Sequence, residues 1–243
     1  MNTIRIKLEN ISFSYPGQPR PVFENLNISF QQERIGLIGD NGSGKTTLFH
    51  IIVGLLKPDT GSVRMNDEVL KTEKDFRKLR RKVGMLFQNV DDQLFSPTVM
   101  EDVAFGPLNM GATMEEAREI SFLTLKQIGM NGYENRVTHN LSGGEKRLVA
   151  LATVLAMKPD IILLDEPTND LDQGSRNRLL DTLGELELSY MLVSHDWDFL
   201  SKLTNVFYAL TDGQLVLRDK ITLHQHQHAH TVGDLKHVHS NSG

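Results

Sequence analysis

Over the first thirty residues apolar and polar side chains alternate, with one clear interruption at Pro16-Gly17. A period of two puts every second side chain on one face of a sheet, so residues 3–15 and 22–30 read as antiparallel strands joined through a turn. The texture then changes. Arg34-Ile-Gly-Leu-Ile38 is a compact apolar strand, a glycine-rich stretch follows, and residues 46–56 carry the spacing of a helix stopped by Lys57-Pro58-Asp59. Residues 61–87 read as further strands around one basic helix and close on the apolar strand Val83-Gly-Met-Leu-Phe87. The basic run at 77–82 has the composition of a solvated helix face.

From about 89 to 157 the pattern is mainly helical. Thr113 followed three residues later by Glu116 predicts a capping box, and Gly129 a stop for the same helix. Two apolar runs, Ile161-Ile-Leu-Leu164 and Met191-Leu-Val193, lead into acidic, serine or histidine residues. Runs of this kind match parallel strands buried on both faces, whose C-terminal ends open on the ligand crevice of an α/β sheet. After about residue 221 the periodicity fades and the remainder reads as flexible. With no repeat and no heptads, the 243 residues are expected to form one α/β core with elaborations.

Composition narrows the function. A formal net charge of -5 argues against nucleic acid as a partner. The absence of cysteine removes disulfides, thiolate zinc sites and cysteine nucleophiles together. The first ten residues lack the apolar core of a signal peptide, and no apolar stretch approaches the roughly 18 residues of a membrane span. If this chain serves transport, another chain forms the path.

Gly39-Asp-Asn-Gly-Ser-Gly44-Lys45-Thr46 fits G-x-x-x-x-G-K-[ST], placed after a strand and before a helix. Glycines let successive N–H groups curl toward phosphate oxygens, and the helix offers its positive end. The expected ATP-binding set is Gly39, Asp40, Asn41, Gly42, Ser43, Gly44, Lys45, Thr46 and Thr47, with Lys45 bridging the β- and γ-phosphates and Thr46 ligating Mg²⁺. The strand 161–164 delivers Asp165 and Glu166 to its end. Asp165 is expected in the Mg²⁺ shell, and Glu166 as the residue that orients or deprotonates the attacking water.

Between these motifs stands Leu141-Ser-Gly-Gly-Glu145, and with it the chain resembles the ATP-binding cassette (ABC) family from residue 1 to about 220. The resemblance implies a P-loop NTPase core with a mainly parallel sheet, an N-terminal antiparallel β subdomain and an inserted helical signature subdomain at about 89–157. It implies that Ser142, Gly143, Gly144 and Glu145 cap the γ-phosphate of ATP held by an opposite subunit, so that a homodimer sandwiches two nucleotides. It also implies that Tyr15 stacks on adenine, although a strand-end core role fits that residue equally. Gln88 then senses Mg²⁺ and the membrane subunit, His195 contacts the γ-phosphate as a switch, and Asn169-Asp-Leu-Asp172 crosses the dimer interface. Glu145, where glutamine is usual, and Asp170, where a small residue is usual, depart from the pattern and leave the ribose contact and the interface geometry open.

Residues 87–99 and 101–107 look like the corresponding run in ATPases of energy-coupling factor importers, especially the cobalt and nickel branch. That resemblance implies a transmembrane coupling protein docked beside Gln88, a membrane protein that captures the substrate, and a peripheral place on the cytoplasmic face of the membrane. Leu94, Phe95 and Val99 are the expected docking residues, unless they pack the helical subdomain. The competing class is a soluble cassette ATPase acting on nucleic acid or ribosomes. Such proteins usually add a second cassette, a long coiled coil or cysteine-ligated zinc, and this chain has none of these.

In the tail, residues 222–243, His224, His226, His228, His230, His237 and His239 are candidate ligands for Ni²⁺ or Co²⁺. Imidazole suits both ions, and alternate histidines of an extended chain point the same way. About 20 flexible residues span roughly 25 Å, enough to sample the neighbourhood of the ATPase. A tag or a solvated polar tail is the alternative, though interrupted histidines do not resemble a plain purification tag.

Overall fold

The computed structural model describes residues 4–169 and 171–218; Asp170 and the six tail histidines lie outside the described residues. The early alternation becomes β1 (Ile6–Phe13) and β2 (Phe23–Phe30), paired antiparallel with Ile6 opposite Phe30 and Phe13 opposite Phe23. Asn10, at φ 51°, sits where the register shifts, and the shift brings Ile11 and Phe13 to the buried face that Ile6 and Leu8 occupy. After β3 (Arg34–Ile38) and α1 (Lys45–Ile52) the chain returns to this first sheet. There β4 (Thr60–Met65) pairs with β1 and β5 (Glu68–Val69) forms the edge, so the antiparallel subdomain draws on both sides of the phosphate loop.

Helix α1 stops at Ile52, short of the expected 56. Gly54, at φ 74°, turns the chain into the left-handed region before the proline is reached. Leu55 N–H then bonds His50 O at 2.8 Å and Gly54 N–H bonds Ile51 O at 3.2 Å, the paired bonds of a Schellman end. A Cβ at residue 54 would also lie 2.2 Å from the Phe76 ring of α2 (Glu73–Arg80). The basic run lies on this helix, of which Leu79 alone is buried.

The second sheet has the order β10-β9-β3-β8-β7-β6, formed by β3 with β6 (Val83–Leu86), β7 (Ile161–Asp165), β8 (Ser189–Val193), β9 (Val206–Thr211) and β10 (Gln214–Arg218). All neighbours are parallel except β10, which folds back on β9. In β7 every residue is buried, and its side chains divide by turns: Ile161 and Leu163 face the core shared with α1 and the first sheet. Ile162 and Leu164 face the other core, which holds α5 (Gly143–Leu155), α6 (Gln173–Glu185) and α7 (Trp197–Leu203). This two-sided burial is what a continuous apolar run without alternation requires.

The helical stretch contains α3 (Val99–Asn109) and α4 (Met114–Gln127) before α5. The expected box at Thr113 and Glu116 is present, and Gly129 at φ 70° ends α4. Leu94 and Val99 are buried in the core around α5, so neither is a surface residue; Phe95 is exposed.

Gly54→Val combines a left-handed backbone with overpacking against Phe76 and is expected to cost roughly 2–4 kcal/mol, read as a lower urea midpoint. An unchanged midpoint would show that Gly54 does not fix the end of α1.

Candidate active site

The phosphate loop joins the C-terminal end of β3 to α1, and the carboxylates come off the end of β7, separated from β3 only by β8. The parallel sheet therefore presents both motifs along one edge. Gly44 is the N-cap of α1 in the left-handed conformation, with no side-chain cap bond and no acidic residue in the first turn. By contrast, a side chain caps each of α2 to α7. The first N–H groups of α1 thus keep their positive end directed at the loop.

Lys45 is 9% exposed, and its Nζ donates to Gly39 O at 2.8 Å and Asp40 O at 3.0 Å. Burial pulls its pKa down, opposed by the charges of Glu166, Asp165 and Asp40. Asp165 is 1% exposed and accepts the Thr46 hydroxyl at 2.6 Å. Burial pushes its carboxyl up, against the pull of Thr46, His50, Lys45 and Arg147.

Glu166, 5% exposed, has a left-handed backbone at φ 48°. Its Oε2 accepts His195 N–H at 3.2 Å. His195 Nε2 stands 3.2 Å from Oε1 but is hydrogen-bonded to Asn41 Oδ1 at 3.0 Å, and Oε1 has no hydrogen-bond partner among the described residues. Ser43 Oγ is a second buried oxygen without one.

These side chains surround a cavity of about 430 Å³ lined by Tyr15, Lys45, Thr46, Thr47, Gln88, Asp165, Glu166, Asn169 and His195. A neighbouring recess of about 880 Å³ shares Asn41, Gly42, Lys45 and His195 with it and adds Trp197 and residues 209–213. Tyr15 packs its ring edge-on against Phe13, with its hydroxyl 3.0 Å from Thr47 Oγ1, and is among the residues that line the cavity. Thr46 and Asp165, in contact through their oxygens, line the cavity with Gln88, and oxygen donors of these types fit Mg²⁺. The unpaired Ser43 and Glu166 oxygens are places where a polar ligand or water gains a bond.

Ser142, Gly143, Gly144 and Glu145 line neither cavity. They form the start of α5, where Ser142 Oγ accepts Glu145 N–H at 3.3 Å and Glu145 Oε2 accepts Ser142 N–H at 2.8 Å. The serine side chain also bonds the Glu145 carboxylate, closing the capping box on both groups. Glu145 is engaged further: Tyr133 O–H donates to it at 2.7 Å and Arg136 lies 3.5 Å away, stacked on the Tyr133 ring. The Tyr133 bond is the largest of the effects that hold the Glu145 carboxyl below its usual range. The carboxylate at this position thus has local partners that account for it. Asp172 caps α6, and a Cβ at Gly144 would lie 2.5 Å from Ser175 Oγ on that helix, so the signature segment and the segment after Asn169 touch.

Sequence reasoning missed Arg147. It is 5% exposed and reaches the carbonyls of both Glu166 and Gln88. The available signal was its place four residues before Leu151 on the apolar face of a helix.

A family model described as ABC transporter matches residues 23–169. The energy-coupling factor transporter ATP-binding protein EcfA of Methanothermobacter thermautotrophicus is 45% identical over 216 residues, covering 87% of this chain and 69% of the relative. The solved structure of cbiO1 from Clostridium perfringens, part of the ABC transporter complex cbiONQ, matches with a TM-score of 0.80 at 31% identity over 93% of each chain. A dimeric ATP-binding cassette in a post-hydrolysis state, bound to ADP and Pi, matches with a TM-score of 0.79 at 28% identity over 88% of this chain and 98% of that one. The chain belongs to the ABC transporter family as an ATP-binding, ATP-hydrolysing subunit.

Proposed function

We propose that this chain is the ATPase of a metal-ion importer, for nickel or cobalt, working as a homodimer on the cytoplasmic face of the membrane beside a transmembrane coupling protein and a substrate-capture protein. The cassette occupies residues 1–221, with its helical subdomain at about 89–157, and residues 222–243, outside the described residues, supply the metal-binding histidines. Among the described residues no helix is long and apolar enough to cross a membrane, so transport needs the partner chains.

One observation carries the hydrolytic reading: Glu166, whose Oε1 is out of water and without a hydrogen-bond partner among the described residues, lines the same cavity as Lys45, Thr46 and Asp165. An ionised carboxylate there accepts the proton of a water held against the γ-phosphate. Lys45 exchanges its bonds to Gly39 and Asp40 for phosphate oxygens, and the loop N–H groups and the uncapped start of α1 neutralise the rest. Thr46, Asp165 and Gln88 would hold Mg²⁺, which would offset negative charge on the triphosphate. His195, spanning Asn41 of the loop and Glu166, keeps the acid in register with the phosphates. Tyr15 stacks on adenine while Thr47 holds its hydroxyl.

The dimer follows from what the cavity lacks. Residues 142–145 line neither recess, yet the start of α5, which Ser142 caps, offers a helix N-terminus as a donor. A second copy facing the first supplies that donor over each phosphate loop, which gives two equal sites in a closed pair. The dimeric ADP-bound relative supports this arrangement.

For membrane docking, Phe95 and Phe105 form an exposed edge-to-face pair with ring centroids 4.8 Å apart. They line a cleft of about 260 Å³ with Leu55, Phe87 and Met157, one residue from Gln88. An apolar element of the coupling protein seated there reports directly to the glutamine. The metal assignment rests on the tail histidines, which lie outside the described residues, and on the affinity of imidazole for both ions.

Glu166→Gln removes the base and leaves the fold and the nucleotide contacts. Turnover is expected to fall about a hundredfold or more, while ATP with Mg²⁺ now traps a dimer visible by light scattering. Turnover at the parental rate would refute the role of Glu166; a monomer under those conditions would refute the two-chain site. Deleting residues 224–243 is expected to abolish Ni²⁺ and Co²⁺ binding in calorimetry without changing ATP turnover. Unchanged metal binding would remove the tail from the function.

A further inference from the structure

The hydrolytic account leaves unused a buried cation on the signature helix. Arg147 lies on the face of α5 turned to the core; its Nη1 donates to Glu166 O at 3.2 Å and its Nη2 to Gln88 O at 3.1 Å. Those carbonyls follow the ends of β7 and β6, neighbouring strands of the parallel sheet. Only a planar guanidinium offers two donors set far enough apart to hold both at once.

The two residues it holds need holding. Glu166 occupies a left-handed backbone that a non-glycine residue keeps only when its surroundings over-determine it. Its N–H bonds Val193 O at 3.0 Å, and its carbonyl takes both Arg147 and Asn169 N–H. Gln88 begins a segment fastened along the same helix. Gln93 Nε2 donates to Ala150 O and Thr153 Oγ1, both at 2.9 Å, while Gln93 Oε1 accepts Phe87 N–H at 3.2 Å. Lys146 pairs with Asp91 at 2.8 Å. The helix that begins after Ser142 therefore carries the glutamine segment on its flank and reaches the catalytic acid through one side chain.

We propose that Arg147 is a positioning residue that locks the backbones of Glu166 and Gln88 to the signature helix, so that the acid and glutamine of one ATP site move as one body with the cap of the other. The second clause rests on the two-chain site proposed above; the first does not. Seating of Ser142 on the partner's ATP then sets the angle of α5, and through Arg147 the aim of the Glu166 carboxylate in its own chain.

The test compares turnover and KM for ATP in the parent, Arg147→Met and Arg147→Lys, and ATP-driven dimerisation in Glu166→Gln with and without Arg147→Met. Methionine keeps much of the volume and removes every donor; lysine keeps the charge and reaches one carbonyl. The expected result is a fall in kcat of about tenfold or more in Arg147→Met with KM changed less than about twofold, partial recovery in Arg147→Lys, and an undiminished dimer in the double variant. A kcat within about twofold of the parent would overturn the proposal. So would joint loss of turnover and of ATP-driven dimerisation with lysine no better than methionine, because Arg147 would then only hold the fold. If Glu166→Gln alone fails to dimerise, the two-chain site is at fault, and the separation of kcat from KM still decides whether Arg147 positions Glu166.

Discussion

A carboxylate almost wholly removed from water at the tip of β7 sets the terms for the rest of this structure. Moving such a group out of water costs several kcal/mol unless partners return the lost interactions. Asp165 has the Thr46 hydroxyl in direct contact, with His50, Lys45 and Arg147 exerting a longer-range pull. Even so, its pKa stands above the usual value, because burial outweighs all four. Glu166 beside it keeps one oxygen without a hydrogen-bond partner among the described residues. Carboxylates short of positive charge are prepared for the cation that accompanies a nucleotide, and that electrostatic shortfall is the physical basis of the proposed function.

The architecture explains how a small protein tolerates this. The carboxylates leave a strand buried on both faces, so the sheet is rigid where they emerge, and two separate apolar cores stabilise it from either side. The phosphate loop rises from β3 in the same sheet, and α5 crosses the opposite face with Arg147 directed at the two strand ends. The elements proposed to meet a second chain and a membrane partner, the start of α5 and the Phe95–Phe105 pair, lie on the helical side. Their route to the chemistry runs through buried, hydrogen-bonded groups, which have few alternative arrangements.

Much of this was legible in the sequence because the signals were local. The glycine loop before a helix, the apolar run ending in two acids and the serine before an apolar helix each declare their geometry within ten residues. What was not legible depended on distant neighbours. Leu94 and Val99 looked like docking residues among acids and amides, but α5 packs over them and leaves Phe95 and Phe105 outside. Arg147 reads as a solvated charge unless its place on the apolar face of α5 is weighed against its chemistry. The end of α1 was placed at a proline although Gly54 stops the helix first, since the approach of Phe76 cannot be seen along the chain. The β9–β10 hairpin could have been found: Asp212 and Gly213, at φ 48° and 70°, are the Asp-Gly pair that a tight hairpin turn favours.

The electrostatic shortfall at Asp165 is tested most directly by the stability of the ligand-free protein and its Asp165→Asn variant from about pH 4 to 8, followed by thermal unfolding. Because burial raises the folded-state pKa above its ordinary value of 3.8, the ionised carboxylate is a net cost. That cost is fully present above the folded pKa and disappears as pH falls below the unfolded one, while asparagine keeps an acceptor for Thr46. The variant should therefore melt higher than the parent near neutrality, with the gap closing toward acid. A parent that is the more stable of the two at neutral pH would show that Asp165 is fully compensated by its own protein, and would contradict the account.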